Sequence, residues 1–231
     1  MSLFKKITLP CPACEKSVDF DAVHSVNADR RADLRKAILD GSFQRQACTA
    51  CGKAFRLDPE FNYIDLGRNE WYAVHPRADV DRWRELEGES RGLWDRAYGA
   101  KAPALAKEMG QSVKPRLVFG WPALNEKLSA NQHGLDDVQL ELLKVGLMKS
   151  LPESPYDLDT ELRLLEVRAG TPDQLVLGWI ESDTANLIQA LGVPREVYDD
   201  VAADPDAWKA LRAEFDGALF IDTARLLTVG A

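Results

Sequence analysis

The sequence predicts an α+β fold in two parts. Two observations lead to this prediction. Four cysteines form two Cys-x-x-Cys pairs in the first quarter of the chain, and segments with the two-residue period of strands alternate with segments of helical period along the rest. We therefore expect a zinc-ribbon-like β domain with an inserted helix over residues 1–77. A mixed α+β domain is expected over 78–231, with a helical linker region over about 78–110.

The first domain is predicted to be mainly strands, with one helix between the two cysteine pairs. Val18, Phe20 and Ala22 alternate with aspartates, which is typical of a half-buried strand. The helix is expected over about 28–39, with Asn27 as its N-cap. Further strands are predicted over about 5–9, 43–47, 53–57, 61–66 and 70–75.

The second domain is predicted to mix helices with one β-hairpin. A short strand is expected at 115–119, and the hairpin pairs 161–168 with 174–180 through a Gly-Thr-Pro-Asp turn. Six tryptophans are expected to contribute to cores before they serve as binding anchors. Helical periodicity is found over about 79–109, 121–130, 135–149, 184–191, 194–202 and 205–215.

The cysteines Cys11, Cys14, Cys48 and Cys51 are predicted to bind one structural Zn²⁺ ion. A Cys-x-x-Cys turn places two sulfurs on one side of a tight loop, and two facing turns form the closed tetrahedral site that zinc favours. Iron in the same S4 geometry is the alternative metal. A redox pair is less compatible with two such motifs, neither of which opens a helix in a βαβ pattern. Four protein ligands leave no open position for a substrate water, which favours a structural ion over catalytic zinc.

Composition and charge favour a soluble cytoplasmic protein. No stretch approaches 18 apolar residues, and the N-terminus has no apolar core of a secretory signal, so we expect neither a membrane span nor export. Residues 1–67 contain 10 Lys and Arg against 9 Asp and Glu, whereas 68–231 contain 19 against 28. A body with a net charge of -8 repels phosphate backbones over most of its surface, which disfavours a nucleic-acid partner.

Beyond the charge pattern, the sequence resembles the bacterial CpXC family, named for its Cys-Pro-x-Cys motifs. The first motif is Cys11-Pro-Ala-Cys14, and the second, Cys48-Thr-Ala-Cys51, has Thr49 where proline is expected. The resemblance continues through Arg116-Leu-Val-Phe, Leu124-Asn-Glu-Lys127, Gly134-Leu-Asp-Asp137 and Glu141-Leu-Leu-Lys144. It implies the architecture and supplies no reaction, since the biochemical function of the family is uncharacterised.

One polar group outside the cysteines suggests a surface that a partner recognises. It lies on two neighbouring predicted helices and consists of Glu126, Lys127, Asp136, Asp137 and Glu141. The simpler interpretation is that Asp136 and Asp137 stabilise the positive end of the second helix. Asp137 and Glu141 are also one helical turn apart and could share a cation.

The sequence contains no recognisable catalytic constellation. His24, His75 and His133 are isolated in sequence, and no phosphate loop, nucleophile elbow or His-Glu-x-x-His helix is present. The sequence does not decide whether the protein is an enzyme, although the absence of these motifs disfavours an enzymatic function.

The leading hypothesis is a zinc-stabilised interaction or regulatory protein whose partner is another protein. The alternatives are a nucleic-acid-associated zinc ribbon and an enzyme whose residues meet only in the fold. For the nucleic-acid alternative, positive charge in the first domain comes from Lys5, Lys6, Arg30, Arg31, Arg35, Lys36, Arg45, Lys53 and Arg56. The oligomeric state is not indicated.

Overall fold

A computed structural model describes residues 2–150 and 159–227 and contains both helices and sheets, which confirms the α+β class. The described chain forms two compact units. The first comprises the residues up to Asp79 together with Gly88–Trp121, and the second comprises Val80–Glu87 together with the residues from Pro122 onward.

The first unit is built on a five-stranded mixed sheet. Its strand order is β1-β2-β5-β6-β7, in which β2 pairs with β5 and β6 with β7 in parallel, while the other neighbours are antiparallel. The strands are β1 (Leu3–Pro10), β2 (Ser17–Asn27), β5 (Phe61–Asp65), β6 (Glu70–His75) and β7 (Lys114–Phe119). The helices are α1 (Ala32–Leu39), most of α2 (Trp83–Ala97) and α3 (Ala104–Gly110).

A separate two-stranded hairpin lies between α1 and β5 in sequence. It consists of β3 (Arg45–Ala47) and β4 (Ala54–Arg56), paired antiparallel with Ala47 opposite Ala54. The inserted helix is present but begins at Ala32 rather than near residue 28. Asn27 lies at the end of β2, where its side chain accepts a hydrogen bond from the Arg30 backbone N–H in a turn, so the N-cap prediction is wrong.

The second unit combines a three-stranded antiparallel sheet with helices. The sheet has the order β10-β9-β8, and leucines of β8 and β9 form one core with α5 and α6. The strands are β8 (Thr160–Arg168), β9 (Gln174–Glu181) and β10 (Leu187–Pro194). The helices are α4 (Gly120–Gln132), α5 (Asp137–Ser150), α6 (Arg195–Ala203), α7 (Lys209–Ala213) and α8 (Thr223–Leu227).

Two features differ from the expectations drawn from sequence. The first unit extends well beyond residue 77, because β7 adds to the edge of β6 with Glu70 opposite Lys114. The segment predicted as a helix over 184–191 contains most of strand β10, which pairs with β9 after a turn. In that turn the Glu181 carboxylate accepts hydrogen bonds from Thr184 and Asn186, and Ala185 has a φ of 57°.

Most of the predicted tryptophan core is present. Trp71, Trp83, Trp121 and Trp179 are buried, and the Trp121 indole N–H donates to the Leu57 carbonyl at 2.8 Å. Among residues 2–150 and 159–227, no helix has the length and apolar character needed to cross a membrane.

Candidate metal centre

The two cysteine pairs occupy the tips of two antiparallel hairpins. The first pair lies between β1 and β2, where Pro10 and Ser17 are the last paired residues. The second lies between β3 and β4, where Ala47 and Ala54 close the ladder. The hairpin geometry thus brings both sulfurs of each pair to one end of its ladder. The zinc-ribbon assignment of this part of the chain remains a prediction.

Both tips are closed by the same two backbone hydrogen bonds. Each first cysteine donates its N–H to the carbonyl five residues later, Cys11 to Lys16 at 2.8 Å and Cys48 to Lys53 at 2.9 Å. Each also accepts at its carbonyl from the N–H four residues later, which belongs to Glu15 in the first tip and Gly52 in the second. These two residues have φ values of 59° and 74°, so the two tips share one backbone turn.

The four sulfurs come together at one point. All four Sγ atoms lie within 4.8 Å of one another, and the pairs Cys11–Cys51 and Cys14–Cys48 are separated by 3.8 Å. A tetrahedron with metal–sulfur bonds of about 2.3 Å has edges of about 3.8 Å, so this spacing fits one ion at the centre. Cys11 and Cys48 are buried, Cys14 is half-buried and Cys51 is exposed.

Side-chain contacts also join the second hairpin to β2 near the two tips. The Gln44 side chain bridges to β2 twice, accepting from the Val23 N–H and donating to the Asp21 carbonyl, each at 3.0 Å. Gln46 donates in the same way to the Asp19 carbonyl at 3.0 Å. The rings of Phe20 and Phe55 lie 6.0 Å apart, and Phe55 packs against the cysteine cluster. These contacts join the two hairpins beside the cysteine turns. The role of the two glutamines cannot be predicted from the sequence, because side-chain bonds to a distant strand leave no local pattern.

The local electrostatics favour one thiolate and oppose complete ionisation without a cation. Backbone N–H groups of Cys51 and Ala50 donate to the Cys48 sulfur and lower its pKa to about 7. The Lys16 N–H lowers the pKa of Cys14, but burial and the three neighbouring sulfurs outweigh it and raise that pKa to about 12. A divalent cation would supply the positive charge needed to ionise all four thiols.

A comparison with known protein families supports this centre. The sequence model of the family described as CpXC protein matches residues 9–144, more than half of the 231-residue chain. The chain belongs to the CpXC family. No curated protein and no solved structure matches it. The CpXC match spans both cysteine pairs and ends at Lys144, so it also includes the predicted polar group on the two helices.

That polar group is not a surface, and the partner-surface prediction is wrong. Glu126 and Glu141 are fully buried and Lys127 is 3% exposed. The Lys127 ammonium lies 3.4 Å from carboxylate oxygens of both Asp137 and Glu141, so these two residues do share a cation, which is a lysine. The charged side chains face each other between α4 and α5 instead of facing solvent.

Asp136 has the structural role that was the simpler interpretation. Its carboxylate accepts the backbone N–H groups of Val138 and Gln139 at 3.0 and 3.1 Å, so it caps the N-terminus of α5.

The buried group is part of a larger ion-pair network in the second unit. Lys144, which is fully buried, lies 3.0 Å from Glu126 and 2.8 Å from Glu141. Arg163 of β8 contacts Glu126 at 3.2 Å and Asp222 at 2.5 Å. Burial opposes ionisation of Asp222, but Arg163 and Lys144 together hold its pKa well below the usual range. Four residues that carry the CpXC resemblance, Glu126, Lys127, Glu141 and Lys144, thus lie in this buried network.

The basic residues of the first domain are partly engaged in internal contacts. Arg35 is buried and bonds Glu70 at 2.5 Å, and Arg31 pairs with Asp33 at 2.7 Å. The Arg56 guanidinium lies 3.7 Å from the centre of the Trp121 ring. Arg45 also donates to the Gly41 carbonyl, at 3.3 Å. At least four of the nine positive charges proposed for nucleic-acid contacts therefore make contacts within the unit.

An apolar cavity lies between helices of the second unit. Its volume is about 600 Å³, and it is lined by α5, α6 and the Trp208 side chain, with Asp200 and Asp204 among the lining residues. His133 is exposed and its Nδ1 lies 2.9 Å from the Ser129 carbonyl, one turn back on α4. His133 is not among the residues that line this cavity.

Proposed function

We propose that Cys11, Cys14, Cys48 and Cys51 bind one Zn²⁺ ion with a structural role in the first unit. The observation that carries this proposal is the gathering of four Sγ atoms within 4.8 Å at the tips of two equivalent hairpins. Zinc suits a tetrahedral set of four thiolates, and iron is the competing metal for the same ligands. With four protein ligands the ion has no position for a substrate, which supports a structural ion over a catalytic one.

Elemental analysis of the full-length protein, purified without chelators or metal-affinity steps, tests this proposal. We expect one zinc per chain and no visible absorption from an iron–sulfur centre. The Cys48→Ser variant should lose stoichiometric metal because one ligand is missing. The neighbouring Thr49→Ser variant is the matched control, since it changes an exposed residue and keeps all four ligands. Metal-free wild-type protein, or iron in place of zinc, would contradict the assignment.

We infer further that the protein is a cytoplasmic interaction or regulatory protein whose partner is another protein. A closed metal site and the net charge of -9 over residues 68–231 support binding over chemistry. Helix α3 adds a specific observation, because Leu105 is 70% exposed and Met109, one turn later, is 49% exposed. Neighbouring apolar side chains on one helix face are typical of a contact with another protein.

Co-purification from native lysate with mass spectrometry tests the interaction. A stoichiometric protein partner is expected with the wild-type chain and should be lost with the double variant Leu105→Ser, Met109→Ser. Leu3→Ser is the control, since Leu3 is 52% exposed but lies on β1. Recovery of no stoichiometric protein would contradict the proposal, and binding to nucleic acid that falls steeply with salt would favour the nucleic-acid alternative instead.

A further inference from the structure

The cavity of the second unit has room for a small organic molecule. It lies between α5 and α6 and has a volume of about 600 Å³, within the range of roughly 300–1,000 Å³ that is typical of small-molecule sites. Buried residues of the core, such as Leu143 and Val201, are among those that line it. An apolar ligand is stabilised at such a surface because binding removes apolar area from water on both the ligand and the protein.

The Trp208 side chain gives this cavity an aromatic wall. A Cβ atom added to Gly146 of α5 would lie 3.1 Å from Cη2 of Trp208, so the ring packs directly against the helix at a residue without a side chain. The ring also packs against the core of the unit, which holds it in place. Of the aromatic side chains, the indole ring attracts a cation at its face most strongly.

The charged residues that line the cavity are both acidic. Asp200 lies in the last turn of α6 and Asp204 directly follows that helix, and none of the lining residues in the described part of the chain is basic. One oxygen of Asp204 accepts the Ala207 N–H at 3.1 Å, whereas the Asp200 carboxylate has no hydrogen bond or ion pair with residues 2–150 or 159–227. The C-terminal end of α6 adds a partial negative charge, so this side of the cavity favours a cation.

We propose that this cavity binds an apolar organic cation, an amine whose charged group lies beside Asp200 and Asp204 and whose hydrocarbon body contacts the apolar lining. Both carboxylates and the net charge of -9 over residues 68–231 repel an anionic ligand, and a neutral ligand gains no ionic interaction with the two carboxylates. The cavity therefore distinguishes ligands of one size by their charge. This inference does not depend on the metal or on the proposed partner protein.

Calorimetric titration of the full-length, metal-loaded protein at neutral pH with three probes of the same carbon skeleton tests the proposal. The probes are phenylbutylamine, which is then a cation, phenylbutanol, which is neutral, and phenylbutyrate, which is an anion. We expect the amine to bind about tenfold more tightly than the alcohol, because only the amine gains the ionic and cation–π interactions, and the carboxylate not to bind. No binding of the amine at millimolar concentration, or equal affinities for the amine and the alcohol, would overturn the proposal.

Three variants locate the binding site. Asp200→Asn should weaken binding of the amine by about fivefold and leave the alcohol unaffected, because it removes one negative charge from the lining. Asp206→Asn is the matched control, since it removes the same charge at an exposed position that does not line the cavity. Ala207→Leu should weaken both ligands to a similar extent, because the larger side chain occupies part of the cavity. Equal effects of the two asparagine variants, or amine binding unchanged by Ala207→Leu, would place the amine elsewhere and overturn the proposal.

Discussion

Glu15 and Gly52 occupy the same position in the two cysteine turns, but only one of them is a glycine. Both have left-handed backbone conformations, with φ values of 59° and 74°. In this region a side chain with a Cβ atom costs about 1–2 kcal/mol, whereas glycine adopts it readily. No atom lies within 4 Å of a Cβ built on Gly52, so only the backbone conformation, and no steric contact, favours glycine there.

Exchanging side chains at these two positions should have opposite effects. We expect Glu15→Gly to raise the free energy of unfolding by about 1 kcal/mol and Gly52→Ala to lower it by a similar amount. Chemical denaturation of the metal-loaded protein measures both. The same sign for the two variants would indicate that the turns are not equivalent.

Glu70 is a buried carboxyl group that is only partly satisfied. Its Oε2 accepts from Arg35 at 2.5 Å and from the Tyr63 hydroxyl at 3.3 Å, while its Oε1 has no hydrogen-bond partner among residues 2–150 and 159–227. Burial raises the pKa of Glu70 to about 7, and Arg35 only partly offsets this effect. The folded state therefore binds a proton at Glu70 more tightly than the unfolded state.

The pH dependence of stability follows from this shift. The contribution of Glu70 is fully present below pH 4.5, its ordinary pKa, and is lost as the pH rises to about 7, by up to about 3 kcal/mol. Glu70→Gln should remove this part of the pH dependence, which denaturation at about pH 5 and about pH 8 measures. Glu60→Gln, at an exposed position, should leave the wild-type profile unchanged. A profile of Glu70→Gln parallel to that of the wild type would contradict the burial argument.

Helix α5 shows how one element can contain both a buried and an exposed lysine. Lys144 lies fully buried between Glu126 and Glu141, whereas Lys149 of the same helix is exposed. Two carboxylates of the network also accept hydrogen bonds from backbone N–H groups. Glu126 accepts from Leu164 of β8 at 2.6 Å, and Glu141 accepts from Thr223 of α8 at 2.9 Å. The network therefore joins α4, α5, β8 and α8 within the second unit.

Removal of the buried cation should be strongly destabilising. Lys144→Met removes the cation shared by Glu126 and Glu141 and leaves one cation for each, Arg163 and Lys127. The negative charge of the buried network is then undercompensated, and we expect a loss of about 3 kcal/mol in the free energy of unfolding. Lys149→Met should change it by less than about 0.5 kcal/mol. Urea denaturation of both variants tests the difference. Similar small effects would mean that the carboxylates become protonated at little cost.

Strand β10 illustrates a limit of prediction at the level of the element. Its leucines, alanine and glutamine are good helix formers and favoured a helix over 184–191. In the structure this segment instead pairs with β9 as the second strand of a hairpin. The Glu181 carboxylate closes the turn around Ala185, and the edge of β9 opposite β8 accepts the backbone hydrogen bonds of β10. Pairing with an existing strand outweighs the intrinsic helix propensity of these residues, because helix propensity only weakly determines secondary structure.

At the scale of the molecule, each unit has its own core, and only the first contains the cysteine cluster. The residues packed around the sulfurs are few, mainly Val18 and Phe55, whereas the second unit has a large core around Trp179 and Leu175. We therefore expect the metal to stabilise the first unit far more than the second.

Metal removal should affect the two units differently. After treatment with a strong chelator, amides of the cysteine turns, β3 and β4 should lose protection from hydrogen exchange, while those of β8 and β9 should keep it. Hydrogen exchange with mass spectrometry measures both, and addition of Zn²⁺ should restore protection. An equal loss of hydrogen-exchange protection in β9 would indicate that the metal stabilises both units.

Local spacing by itself determined the cysteine cluster, the helices α4 and α5 and the β8–β9 hairpin. A Cys-x-x-Cys turn and a helical or strand period are properties of consecutive residues, so they can be read without knowing the rest of the fold. Only the tertiary structure decided that β7 joins the first sheet and that Glu126, Lys127 and Glu141 are buried. The reason is physical: a charged side chain is exposed unless partners neutralise it, and here Arg163 and Asp222 complete the network from segments distant in sequence.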